Sequence, residues 1–517
     1  MSERMPVFSR QLLTEVRIWW SLVWPSVITN WSRVGMDLTD LSVLGHYAGS
    51  IYLSDVAYAQ IMISLVMVFV IRGMAGSTVN VLCSTAYGAR NFHLVGIYMQ
   101  LSVLLCSLTA LLLGVIWVWG GEILRLFVGR QNISQQDARN IDAFLRISLL
   151  WMVPLACSSV MSAFLLAQKV VRPQMCIMVS ALLFNAGSNY VMVYGFGIGY
   201  LGSPLATVLS RWLVCTALAC YISCSPVVRE NGTWPGWHLR ECLKGHRLAE
   251  FLKQAIPTAI GAAVEEFQIQ MVAIFAGSVG PAAVATHNCT LSFFMALSCA
   301  MWGIQSATSA RLGHHLGNGD LAAVRRVLQV AVTATLAWAA VVVLVFLVAR
   351  HEIGSIYSSK VQVQQLAAEI ATVVAGGYFV ISVFYVIVAV LVATGQPKWF
   401  AIAFVIGGWG VALPLSYSLA FLVDEKLVAW WPDRLTWDTG PKGGLGLLGL
   451  WLGLAIGYMV TTAIAGTAAY RTDWQRVALE ASARAEGSAR PLTSGGASQS
   501  GTSRAQGEIP LTDHAGM

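Results

Sequence analysis

Three charged residues fall inside one apolar stretch near the start of the chain: Arg33, Asp37 and Asp40. Their i, i+4, i+7 spacing places them along one face of a helix. A carboxylate there either neutralises a neighbouring cation or takes up and releases a proton or a small cation. Arg33 can satisfy one carboxylate well but hardly both, so Asp37 is the natural ion-pair partner and Asp40 the better coupling candidate. A second constellation pairs Asn185 with Asn189, again on one helical face, with Thr207 at the start of the next apolar stretch. Amide and hydroxyl oxygens suit a carboxylate or a small hard cation; the plainer alternative is hydrogen bonding between helices. A third holds Glu265 and Glu266, followed by Gln268 and Gln270. Adjacent helical residues point about 100° apart, so the two glutamates cannot face one narrow cavity equally. Either one of them handles a proton, or a buried glutamate is satisfied by Gln270 or a neighbouring helix. Arg72 is expected to snorkel or to pair with an acid. His287, His314 and His315 say less, and the last two are expected to be solvated near a helix end.

The elements that must hold these residues are lipid-embedded helices. Of 517 residues, 56% are hydrophobic and 11% charged; a soluble domain carries about 25% charged residues. That excludes a soluble enzyme, a disordered chain and a nucleic-acid binder, despite the formal charge of +7. Each ionisable residue in hydrocarbon costs about 2.5–3.5 kcal/mol, so those tolerated there are functional candidates. Hydropathy predicts twelve spans, near 18–45, 52–82, 95–119, 142–168, 174–195, 202–225, 250–276, 284–310, 324–349, 364–393, 397–423 and 444–470. Lys and Arg outnumber those of the opposite loops roughly two to one on the side of the termini, so both termini are expected to be cytoplasmic. No cleavable leader is expected; the first span would serve as the insertion signal. The chain then divides into a segment 1–17, a first lobe 18–225, an inter-lobe loop 226–249, a second lobe 250–470 and a disordered tail 471–517. Trp19, Trp20, Trp24, Trp430 and Trp431 are expected at the interface. Asn132 heads a glycosylation sequon on the outer side, whereas that of Asn231 is cytoplasmic. The ten cysteines form no CxxC pair and read as small core residues, and neither a metal site nor a catalytic cluster is expected.

The halves resemble each other. An offset of 229 lays Gly88 on Gly317 and Ser77 on Ser306, an offset of 247 lays residues 199–205 on 446–452, and an offset of 232 lays Pro25 on Pro257. Six spans per repeat make the repeats parallel, related by an axis along the membrane normal, as in one class of transporters. Two lobes rocking about a central cavity would suit such a pair. Pro25 and Pro257 permit a bend at equivalent places.

The stretches DLTDLSVLGHYAG (37–49), STAYGARNFHLVGIYMQ (84–100), FNAGSNYVMVYGFGIGYLGSPLAT (184–207), FLKQAIPTAIGAAVEEF (251–267), SARLGHHLGNGD (309–320) and RTDW (471–474) resemble the multidrug and toxic compound extrusion (MATE) family, in family order. The resemblance implies an all-α polytopic membrane protein of twelve helices in two pseudo-symmetric six-helix lobes. It implies a monomeric secondary active antiporter of the plasma or vacuolar membrane, exporting small organic, often cationic, compounds against inward H⁺ or Na⁺. No cofactor beyond that ion and no nucleic-acid partner are expected. Asp40 takes the place of the first-span aspartate of bacterial-type members, where Asn185, the position of Asn189 and Thr207 complete a cation site. Aspartate usually stands where Asn189 stands here, and its loss tilts the reading towards H⁺. Glu265 aligns with a glutamate that eukaryotic members use for substrate and proton. Their second glutamate is Gln270 here, and an acid of the tenth span is apolar here, near Ile381; a dicationic solute is disfavoured. A flippase of lipid-linked saccharides would want a cationic cavity, whereas these candidates are largely acidic or neutral. Export of organic anions is the other alternative. Nothing resembles Walker A, a Rossmann fingerprint, HExxH or a triad.

Overall fold

Hydrocarbon offers no partner to a backbone amide, so an apolar stretch that crosses it must satisfy its hydrogen bonds internally, as a helix does. The computed structural model describes residues 7–48, 53–128, 133–234, 236–358, 360–422 and 444–485. Its first long helix is α1, Val7–Ala48, with Pro25 inside. Eleven other helices are long and apolar enough to cross a membrane; α1, which carries Arg33, Asp37 and Asp40, is long enough but is not among them. The eleven are α2 (Asp55–Gly88), α3 (Phe92–Leu126), α4 (Gln135–Ala167), α5 (Arg172–Gly195), α6 (Gly199–Cys224), α7 (Gly245–Val279), α8 (Pro281–Gly317), α9 (Leu321–Val348), α10 (Val361–Ala393), α11 (Lys398–Phe421) and α12 (Gly446–Tyr470). The all-α, twelve-helix expectation therefore holds. Several helices outrun their predicted spans, because hydropathy sees only the apolar part of a helix that continues into water. The first turns of α1, ahead of residue 18, are the clearest case.

Two expectations about connections need correction. The segment 226–249 is not plain loop: it holds short helices Pro226–Glu230 and Leu239–Cys242, and Thr233 Oγ1 donates to Gln168 Oε1 at 2.7 Å. The tail begins with a helix, α13 (Trp474–Ala485), whose Val477, Ala478 and Ala481 are buried. Its three apolar residues at i, i+1 and i+4 supply a packing face that a composition count over the whole tail dilutes. Asn132, Trp430, Trp431 and the remainder of the tail lie outside the described residues.

Helices α1–α6 form one lobe and α7–α12 the other. Chain direction defines two ends, and the one holding the start of α1 is the near end. There the repeat becomes visible as geometry. A Cβ on Gly88 would collide with the carbonyl oxygen of His314, and one on Gly317 would collide with that of Thr85. The offset of 229 that relates the two glycines relates Thr85 to His314 as well. The ends of α2 and α8 thus cross reciprocally, and only glycine allows so close an approach.

A buried latch lies beside this crossing. Nε and Nη2 of Arg311 on α8 each donate to one carboxylate oxygen of Glu15 on α1, both at 2.7 Å. His315 lies 3.4 Å from Glu15, and His314 Nε2 meets the carbonyl of Ala167 at 2.5 Å. Trp19 Nε1 donates to Thr308 Oγ1 at 3.1 Å. His314 is buried, which corrects the solvated role expected of it: the end of α8 is capped by the other lobe rather than by water. Burial pushes the Glu15 carboxyl up, but hydrogen bonds from His315 and Arg311, with the guanidinium charge, hold it at about 2. A carboxylate depressed in the folded state stabilises it in full above the ordinary value of 4.5, and that contribution fades as pH falls towards 2. Glu15→Gln leaves Arg311 buried without its counter-charge, a loss of about 3–5 kcal/mol. A lower Tm than wild type at neutral pH, with the gap closing in acid, is the expected thermal-unfolding result.

Candidate functional site

Within the first lobe, α1, α5 and α6 bring Asp40, Asn189 and Thr207 together. Asn189 Nδ2 donates to Asp40 Oδ1 at 2.7 Å, and Thr207 Oγ1 to Oδ2 at 2.5 Å. Asp40 is buried, and among the described residues no cation lies within ion-pairing distance of it. Asn185, one turn before Asn189, is also buried. Both its amide atoms, Oδ1 of Asn189 and Oγ of Ser203 are buried oxygens or nitrogens without a hydrogen-bond partner. A carboxylate held by neutral donors, on helices bearing orphaned oxygens, is chemically equipped to accept a proton or a small hard cation.

Asp37 behaves differently. Arg211 Nη2 on α6 donates to its Oδ1 at 3.3 Å, so the intrahelical pair with Arg33 is not the principal one. Among the described residues, Arg33 hydrogen-bonds only Asn30 Oδ1, at 3.4 Å.

In the second lobe the two glutamates of α7 diverge, as their 100° offset requires. Glu265 is 1% exposed. It receives Arg72 Nη2 at 2.8 Å, Tyr385 Oη at 2.5 Å and Tyr458 Oη at 3.4 Å. Arg72 also donates to Tyr385 Oη at 2.9 Å. It comes from α2 and the first lobe, so the Arg72–Glu265 ion pair joins the two lobes. Residues Val68–Thr78 of α2 are wound as a π-helix, a wider coil frequent at functional sites, and Arg72 projects from it. Glu266 takes Gln270 Nε2 at 3.0 Å. The partner expected for a buried glutamate is thus found on Glu266, while Glu265 has the cation. Ile381 lines the small cavity, about 40 Å³, beside Glu265, with Arg72, His287, Tyr385 and Tyr458.

Between the lobes lies a cavity of about 410 Å³. Asp37 and Glu266 line it, together with Arg33, Arg72 and Arg211; Asp40 stands behind, within its lobe. Three arginines on the wall correct the expectation of a largely acidic or neutral interior. Arg211, Tyr385 and Tyr458 were not among the sequence candidates. The tyrosines resemble ordinary core aromatics in apolar helices, but Arg211, four residues after Thr207, carried a usable signal: an arginine in the middle of a span.

The sequence model of the MatE family matches this chain twice, over residues 25–191 and 257–418. The chain belongs to the MatE family. The starts of the two matches differ by the 232 residues that relate Pro25 to Pro257, so the repeat is the family's own unit. Protein DETOXIFICATION 16 of Arabidopsis thaliana is 26% identical over 468 residues, covering 90% of each chain. Multidrug and toxin extrusion protein 1 of Homo sapiens is 26% identical over 418 residues, covering 80% of this chain and 68% of that one. The crystal structure of the eukaryotic MATE transporter AtDTX14 superposes with a TM-score of 0.81 at 21% identity, over 92% of this chain and all of that one. The Vibrio cholerae MATE transporter VcmN, in its bent form, gives 0.72 at 16% identity, over 91% of this chain and 99% of that one. This MATE protein is a multi-pass membrane efflux transporter and not an enzyme.

Proposed function

We propose that this MATE transporter is a secondary active antiporter that exports organic solutes by alternating access, driven by inward H⁺ or Na⁺. The observation that carries the reading is the Arg72–Glu265 pair across the lobe boundary, with Glu265 buried and Arg72 partly exposed to the central cavity. A proton reaching Glu265 removes its charge, and Arg72 is left to seek another partner. The contact between lobes is then weakened at the place where they must part. Asp40, bound by two neutral donors, offers a second loading point within the first lobe. Only one carboxylate serves that site, since Asn189 stands where a second would be, and a proton suits it better than Na⁺. The solute occupies the central cavity, with a cationic group towards Glu266 or Asp37. The protein works as a monomer, with both termini cytoplasmic, in the plasma or vacuolar membrane.

Proteoliposomes loaded with dansylcadaverine, a fluorescent organic cation, separate the ions when pH and Na⁺ gradients are imposed one at a time. Efflux should follow the pH gradient and ignore Na⁺. Asp40→Asn should lower the pH-driven rate about tenfold or more, less than the 10²–10⁴-fold scale of a single proton-transfer group because Glu265 can still be loaded. Efflux driven equally by a Na⁺ gradient alone would overturn the assignment to H⁺.

A further inference from the structure

Five charged side chains line the central cavity: Arg33, Asp37, Arg72, Arg211 and Glu266. Arg211 is engaged by Asp37 at 3.3 Å, and Arg72 by Glu265 at 2.8 Å. Two charges remain without a counter-ion within ion-pairing distance among the described residues. Arg33 has only the Asn30 amide oxygen, at a weak 3.4 Å. Glu266 has only the Gln270 amide, at 3.0 Å. Grouping neighbours leads to the same balance. On the first lobe's side of the cavity wall, Arg33 and Arg211 face the carboxylate of Asp37, while Asp40 behind it is held by Asn189 and Thr207, so the wall itself carries one positive charge in excess. Around α7, Glu265 and Glu266 face the single guanidinium Arg72, one negative charge in excess.

We infer that the transported solute is a zwitterion, with Arg33 receiving its carboxylate or other organic anion and Glu266 its basic nitrogen. Arg33 and Glu266 are each partly exposed to the cavity; a bound solute shields them from water, charges so shielded are stable when paired, and a zwitterion supplies both missing partners at once. A simple cation would satisfy Glu266 and leave Arg33 uncompensated; a simple anion would do the reverse. A pyrophosphate would meet only one uncommitted guanidinium and, across the cavity, a carboxylate that repels it. Because Arg33 belongs to α1 and Glu266 to α7, such a solute bridges the lobes. Ser77 and Gln305 are further polar side chains of the cavity wall. This inference rests on the proposed reading of the central cavity as the solute site.

Three probes with one fluorophore test it on the purified full-length protein in detergent. Nε-dansyl-lysine carries both charges, dansylcadaverine only the positive one and dansylglycine only the negative one. Binding is read from dansyl emission. The zwitterion should bind about tenfold more tightly than either singly charged probe, as one added charged hydrogen-bonding contact provides. Arg33→Gln should weaken the zwitterion about tenfold and erase its advantage over dansylcadaverine, which binds no more weakly than to wild type once the uncompensated positive charge is gone. Arg33→Lys, which keeps the charge but loses the planar fork, should retain part of the advantage. Glu266→Gln should erase the advantage over dansylglycine. Dansylcadaverine binding as tightly as the zwitterion, or zwitterion affinity unmoved by Arg33→Gln, would overturn the inference. Binding of none of the probes would overturn it too, through the cavity. Failure of the antiport reading shows separately, as dansylcadaverine efflux indifferent to a pH gradient.

Discussion

Arg72→Met should reduce gradient-driven efflux by about a hundredfold or more. The substitution leaves Glu265, 1% exposed, without its only cation among the described residues, and an orphaned buried charge costs about 3–5 kcal/mol. The carboxyl then has two ways out: it keeps its proton throughout the cycle, or the helices around it shift to admit water. In the first case the coupling group is permanently loaded, and the step that depends on unloading it stops. In the second the contact between α2 and α7 loosens and the Tm falls. Efflux from proteoliposomes and thermal unfolding of the same preparation read both effects. Wild-type efflux from the Arg72→Met protein would show that the pair is structural ornament and plays no part in transport.

Glu265→Gln should be as damaging to coupling but different in kind. The amide keeps the size of the side chain and can still accept from Tyr385 and Tyr458, yet it carries no proton that can be lost. Efflux driven by a pH gradient should fall about a hundredfold, consistent with the 10²–10⁴-fold scale of proton-transfer groups. Exchange of labelled for unlabelled solute, with no gradient present, should continue, because it needs the lobes to rock but not the proton to move. The Arg72→Met, Glu265→Gln double substitution removes both charges together, and replacing a buried pair by neutral groups is close to neutral for stability. It should recover most of the lost Tm without recovering pH-driven efflux. Recovery of both would place the role of the pair in folding alone.

The sequence made some of this legible and hid the rest for physical reasons. Asp37 and Asp40 announced themselves by standing in a stretch where charge is costly, and the spacing of Asn185 and Asn189 set them on one face. That Thr207 would close on Asp40 required knowing that α1 and α6 meet, 167 residues apart along the chain. The partner of Glu265 lies 193 residues away and in the other lobe, beyond the reach of any local pattern. Arg72 was visible as a cation needing an acid, but several acids were available to it within the spans. Periodicity read α7 correctly: its two glutamates do face different surroundings. It could not say that one faces a cation and the other the cavity. His314 misled because position near a helix end stands for exposure only where nothing packs over that end. The repeat was faint in residue identities, yet the reciprocal seating of Gly88 and Gly317 shows why those identities persist where two backbones nearly touch.

Proton counting on solute binding tests the central claim most directly. Dansylcadaverine is added to the purified protein in a lightly buffered solution containing a pH-sensitive dye, at several pH values. If solute binding in the central cavity and protonation of Glu265 exclude each other, binding displaces a proton from the wild-type protein over part of that range, and Glu265→Gln binds the probe with that release gone. Release of the same size from Glu265→Gln, or none from wild type at any pH, would contradict the account.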